Sequence, residues 1–138
     1  MKVLSSACAL FVVLSSSAVW ACSCAPPPPP KKSLAVSAAV FAGKVKTIER
    51  NGRLLKVTLE ISRTWKGTKG KTVVVTTAAS GAACGFGFKK GSSYLVYCYK
   101  PRGKGAKPVA LVVSLCSRTR PLERAKEDLK ELGPGKKP

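Results

Sequence analysis

The sequence LKVTLEIS, residues Leu55–Ser62, alternates apolar and polar side chains along its whole length. Successive side chains of a β-strand point to opposite faces of the sheet, so a period of two predicts a strand with one buried and one solvated face. This stretch is the clearest element of the chain, and it makes a β-rich fold the starting expectation.

Further strands are predicted on both sides of this stretch. Val40–Ile48 has strand character, its Gly43 indicates a bulge or a close backbone contact, and Asn51-Gly52 predicts a hairpin turn. Three later segments also favour strands: Lys71–Thr77, Ser92–Lys100 and Val109–Cys116. The pattern predicts a mainly β fold, a five-stranded OB-fold-like closed barrel, with a five-stranded sandwich as the alternative.

Short helices are predicted at both ends of the strand region. Ser33–Ala39 follows a proline run and has Ser33 as its N-cap, while Pro121 fits a first helical turn that Gly133 and Pro134 end later. Four apolar residues share one face of the second helix: Leu122, Ala125, Leu129 and Leu132. We expect residues 22–120 to form one domain and residues 121–138 a C-terminal helix and basic tail, packed on the barrel or trailing from it.

The first 21 residues have the composition of a secretory signal peptide. Lys2 precedes an apolar run, Ala7–Leu14, which is too short to span a membrane, and Val19-Trp20-Ala21 fits a cleavage site. Cleavage there makes Cys22 the first residue of a secreted, extracellular protein. In the alternative, Cys22 is lipidated as in a bacterial lipoprotein, although the bulky Trp20 argues against that motif.

The composition excludes several classes of chemistry. The chain has 138 residues and no histidine, which removes Ser–His and Cys–His nucleophile pairs and histidine-ligated metals. The 6 acidic residues form no paired acid and base arrangement in the sequence. We therefore expect neither enzymatic activity nor a cofactor of the protein's own.

The charge predicts an anionic partner. Lysine and arginine number 25, and the net charge is +19. For a secreted protein, this charge favours salt-dependent binding to glycosaminoglycans or other polyanions. The densest basic loop supplies the candidate residues Lys100, Arg102, Lys104 and Lys107. We expect a monomer with no membrane span and no nucleic-acid partner.

Five cysteines remain after the predicted cleavage: Cys22, Cys24, Cys84, Cys98 and Cys116. An odd number in an oxidising compartment predicts two disulfides and one spare thiol, with the pairing open. A zinc site is not expected, because no second closely spaced pair of ligands completes Cys22 and Cys24. Cys98 shares a strand face with Tyr94 and Val96, which predicts a buried, inert thiol; an intermolecular disulfide is the alternative.

Several short motifs, in their order along the chain, resemble the N-terminal, netrin-like domain of the tissue inhibitors of metalloproteinases. These motifs are Cys22–Pro27, Val40–Gly43, Trp65–Gly67, Cys84–Phe86, Tyr94–Val96 and Leu115–Ser117. The resemblance implies an OB-fold barrel with disulfides Cys22–Cys84 and Cys24–Cys116. The chain departs from the family in lacking a cysteine in Lys31–Ala39, in lacking the family's second, cysteine-rich domain, and in having Cys98.

The resemblance also implies a function, the inhibition of zinc metalloendopeptidases such as matrix metalloproteinases. The α-amino nitrogen and carbonyl oxygen of Cys22 would chelate the catalytic zinc of the target protease, and an ordinary α-amino pKa of about 7.7 to 8.0 makes that amine available. The implied inhibitory edge comprises Cys22, Ser23, Cys24, Ala25 and Pro26, flanked by Ala82 and Ala83. A basic extracellular module that binds glycosaminoglycans without inhibiting proteases is the alternative function.

Overall fold

A computed structural model describes residues 22–101 and 111–138 of the protein. The predicted signal peptide, residues 1–21, and most of the basic loop lie outside the described residues. The elements in chain order are helix α1 (Pro30–Val36), strands β1 (Ala39–Asn51), β2 (Leu54–Lys66), β3 (Thr72–Ala78), β4 (Ser93–Cys98), β5 (Leu111–Val112) and β6 (Arg120–Pro121), and helix α2 (Lys126–Leu132). Within the two described ranges, neither helix has the length and apolar content to cross a membrane.

The strands form one mixed, six-stranded sheet in the order β5-β3-β2-β1-β4-β6. The prediction of a mainly β fold is confirmed. The predicted closed five-stranded barrel is not supported, because the sheet is open and its two edge strands, β5 and β6, have only two residues each. A single bridge between Tyr99 and Val112 links the chain after β4 to β5, which is too short a ladder to close the sheet.

The long β1–β2 hairpin confirms the strongest sequence signals. Antiparallel pairing runs to Asn51 and Leu54, and Gly52 in the turn between them has a φ of 60°. Gly43 lies beside a register shift, and a Cβ at this position would lie 2.9 Å from the Glu60 carbonyl oxygen. Glycine therefore allows the two strands to approach closely at the bend of β1.

Apolar side chains cover both faces of the sheet around β1 and β4. One face buries a large cluster that includes Phe41, Leu59, Val75, Val96 and Val113. The other face buries Val40, Leu95 and Tyr97 together with Ala125, and the half-buried Leu122, Leu129 and Leu132 pack against them. The four predicted apolar residues therefore pack together on the sheet, although only Leu129 and Leu132 lie within α2.

The helix boundaries differ from the predictions for local reasons. α1 begins at Pro30 rather than at Ser33, since proline suits the first turn of a helix and Ser33 then lies inside α1. Pro121 belongs to β6, where it pairs with Tyr94, and α2 starts only at Lys126. Gly133, with a φ of 76°, follows the last residue of α2 as predicted.

Candidate functional site

Two neighbouring disulfides hold the segment that starts at Cys22. Cys22 is bonded to Cys84 and Cys24 to Cys116, with Cα–Cα distances of 5.3 and 5.1 Å, and these are the pairs that the resemblance implies. The Sγ atoms of Cys22 and Cys116 lie 3.8 Å apart, so the two bridges are in contact. Because the sulfurs of this cluster are all in disulfides, none is a thiolate that could bind a metal ion.

The loop that receives Cys22 is rigidly attached to the end of β3. The short 3₁₀ turn Gly81–Ala83 leads into Cys84, which has a left-handed backbone with a φ of 60°. A Cβ at Gly85 would collide with the Ala78 carbonyl group, and the Phe86 N–H donates to the Thr77 hydroxyl at 2.8 Å. This packing requires glycine after Cys84 and fixes the position of the disulfide.

The predicted edge residues surround these bridges and face solvent. Ser23, Cys24, Ala25 and Pro26 are exposed, as are Ala82 and Ala83, whereas Cys22 itself is half-buried. Ser23 and Ala83 each lie one residue from a half of the Cys22–Cys84 bridge. The structure therefore brings the two predicted segments of the edge together.

Leu115 also lies on this surface, although the sequence pattern did not indicate it. Its N–H donates to the Cys84 carbonyl oxygen at 2.8 Å, and its side chain is 47% exposed. The one sign of this role in the sequence was a large apolar residue directly before Cys116. Leu115 thus adds an exposed apolar contact beside the disulfides.

A buried carboxylate lies behind the site, on α2. Asp128 is fully buried and accepts hydrogen bonds from Arg118 at 2.7 and 3.0 Å and from the Tyr97 hydroxyl at 3.0 Å, and Arg120 lies 3.6 Å away. The hydrogen bond to Asp128 raises the pKa of Arg118 above its ordinary value. Burial, together with the nearby Asp128 charge, raises the pKa of Tyr97. The network keeps both basic side chains next to their counter-ion.

Cys98 is placed as predicted, with its side chain in the same buried cluster as Tyr94 and Val96. It is the one cysteine of the described part of the chain without a disulfide, and burial raises the pKa of its thiol to about 12. Both observations favour an inert thiol over an intermolecular bridge.

The folded protein should therefore resist alkylation at Cys98. With a thiol pKa of about 12, roughly one thiol in ten thousand is ionised at pH 8, and only the thiolate reacts. We expect iodoacetamide to modify Cys98 at pH 8 only after the protein is unfolded in guanidinium chloride, as followed by mass spectrometry. If iodoacetamide modified Cys98 in the native protein as fast as in the unfolded protein, the buried position of Cys98 would be contradicted.

Of the predicted polyanion-binding residues, the structure describes only Lys100, which is exposed. Arg102, Lys104 and Lys107 lie outside the described residues. Among basic side chains of the described ranges, the ion pairs involve only Lys46, Arg118 and Arg120. The other described lysines and arginines therefore have no carboxylate partner within these ranges and leave a strongly positive surface.

Comparisons with known proteins place the chain in no family. No protein-family model matches it, and a search of curated proteins found no match.

Proposed function

We propose that the protein is a secreted inhibitor of zinc metalloendopeptidases, similar to the tissue inhibitors of metalloproteinases. The observation that carries this proposal is the attachment of Cys22 to the Cys84 loop, beside the exposed segment Ser23–Pro26. An inhibitor needs such a rigid, exposed and extended segment, because binding then costs little conformational entropy.

Zinc chelation by the first residue of the mature protein supplies the mechanism. A catalytic zinc keeps one coordination position open for water or substrate. The deprotonated α-amine of Cys22 and the carbonyl oxygen of the same residue form a five-membered chelate ring with a metal, and they would displace that water. The mechanism requires removal of residues 1–21 and an unmodified amine at Cys22.

The side chain of Ser23 sets the expected affinity. In a substrate-like orientation, it enters the specificity pocket beside the zinc, while Ala25 and Pro26 continue along the cleft. Ala82 and Ala83, on the adjoining 3₁₀ turn, line the opposite side. Since a serine side chain fills a deep apolar pocket poorly, we expect modest inhibition that depends on the protease.

A titration of the mature protein against catalytic domains of several zinc endopeptidases tests this function. The starting material is secreted protein whose N-terminal Cys22 is verified by mass spectrometry. Inhibition should be saturable, and acetylation of the Cys22 amine should abolish it. The acetylated protein with intact disulfides is the matched control. No inhibition by protein with a free amine would refute the proposal and favour the alternative function.

The alternative function, a basic module that binds glycosaminoglycans, is supported by the exposed Lys100 and by the many described basic side chains without acidic partners. Such binding is electrostatic, so its affinity should fall steeply as salt rises. It would be compatible with inhibition, because the two functions would use different residues.

Charge reversal separates the two functions. We expect the double variant Lys104→Glu and Lys107→Glu to elute from a heparin column at lower salt than the unsubstituted protein, with protease inhibition unchanged. The column and the inhibition titration are run on the same preparation. Unchanged elution would exclude this loop from polyanion binding, and a parallel loss of inhibition would show that the two surfaces overlap.

A further inference from the structure

Arg118 connects the polyproline segment to the buried network on α2. Its Nη1 donates to the Pro28 carbonyl oxygen at 2.9 Å, while its Nε and Nη2 donate to the two carboxylate oxygens of Asp128 at 2.7 and 3.0 Å. The Ser33 hydroxyl donates to the same Pro28 carbonyl oxygen at 2.8 Å. Two donors, one on α1 and one on the connection between β5 and β6, therefore fix one backbone carbonyl group.

This contact closes a ring of chain that contains Ala25 and Pro26 of the inhibitory edge, together with Pro27. At one end, Cys24 is bonded to Cys116; at the other, Pro28 is held by Arg118, which lies two residues after Cys116. The residues between are held at both ends by the same short segment, 116–118. Without the Arg118 contact, segment 116–118 would hold this stretch only through the disulfide, and Pro28 would keep only its contact with Ser33.

Asp128 fixes the guanidinium group that makes the contact. It is fully buried, and both of its oxygens accept hydrogen bonds from Arg118 in the bidentate arrangement that a guanidinium group favours. Since the apolar face of α2 packs on the sheet, the carboxylate cannot follow a moving side chain. The orientation of Arg118 therefore derives from the helix.

We propose that Arg118, oriented by Asp128, is a positioning residue that sets the inhibitory edge through the Pro28 carbonyl group. The guanidinium group donates its third hydrogen bond to that carbonyl and restricts Ala25 and Pro26, the part of the edge that follows Cys24, to one conformation. The effect of the Arg118 contact on inhibition rests on the proposed function, whereas its effect on the order of the segment does not.

Two variants remove the contact in different ways. Arg118→Lys keeps the positive charge next to Asp128, but an ammonium group lacks the planar fork that reaches Asp128 and Pro28 together. Ser33→Ala removes the other donor to Pro28 and leaves Asp128 and Arg118 unchanged. Tyr97→Phe is the control, because it removes a hydrogen bond to Asp128 at 3.0 Å without touching Pro28.

The readouts are the ¹⁵N order parameter of the Ala25 amide, since Pro26 and Pro27 have no N–H, together with the inhibition constant. We expect Arg118→Lys to lower the order parameter of the Ala25 amide from about 0.85 to below about 0.6, the range of flexible backbone. We expect it to raise the inhibition constant by about tenfold through lost preorganisation. Ser33→Ala should produce a smaller change of the same kind, and Tyr97→Phe should change neither quantity.

Unchanged order in Arg118→Lys, or equal loosening in Tyr97→Phe, would overturn the positioning role. If the unsubstituted protein inhibits no protease, the proposed function fails separately, and the order parameter of the Ala25 amide still decides whether Arg118 positions the segment.

Discussion

Addition of one alanine before Cys22 should abolish inhibition of zinc endopeptidases and leave the fold unchanged. The extension converts the α-amine of Cys22 into an amide, which is a poor metal ligand, and places a new amine one residue away from the disulfide-held position. We expect the inhibition constant to rise at least about 100-fold, or roughly 2.7 kcal/mol of binding free energy. The measurement is a titration of protease activity with protein whose N-terminus is verified by mass.

The matched control carries the same alanine after Pro138 and should inhibit as the unsubstituted protein does. Both variants should keep the melting temperature and the bridges Cys22–Cys84 and Cys24–Cys116, which peptide mapping checks. An extended protein that inhibits with unchanged affinity would refute chelation by Cys22.

Replacement of Asp128 by alanine should destabilise the protein more than any exposed substitution. Asp128 is fully buried, and the side chain of its partner Arg118 is only 13% exposed, so the variant leaves a largely buried guanidinium charge without its counter-ion. Breaking a buried pair in this way costs about 3 to 5 kcal/mol. We expect the midpoint of urea unfolding to fall accordingly, with little change in the slope of the transition.

Glu127→Ala is the matched control for this experiment, since it removes an exposed carboxylate from the preceding position of α2. Its free energy of unfolding should change by less than about 0.5 kcal/mol. Equal effects of the two substitutions would show that the Asp128 network contributes nothing specific to stability.

Much of the fold follows from local pattern in the sequence. The structure contains three features that local pattern predicted: the buried side chains Val57 and Leu59 on one face of β2, the turn at Gly52, and the apolar residues of the last helix packed on the sheet. Each of them depends on a buried face or on a backbone requirement that a short stretch of sequence already specifies. Sheet closure depends instead on long-range pairing of β5, whose two residues carry little sequence signal. For that reason, the predicted barrel was wrong although its component strands were mostly present.

The candidate site, like the fold, could be predicted from the sequence only in part. The cysteines and the residues beside them could be chosen from the sequence, and their pairing followed from a family resemblance rather than from spacing. The roles of Arg118 and Asp128 could not be predicted, because a lone arginine and a lone aspartate in a basic chain have no distinguishing pattern. The contact of Arg118 with Pro28 depends on the position of Asp128, and that position depends on how α2 packs on the sheet, which only the folded structure defines.

Metal spectroscopy tests the central claim most directly. A target protease whose catalytic zinc is replaced by cobalt has a visible spectrum that reports the ligands of the metal. We predict that mature protein with a free Cys22 amine changes this spectrum in proportion to the inhibition, and that acetylated protein leaves it unchanged. Inhibition without any change in the cobalt spectrum would contradict chelation by Cys22.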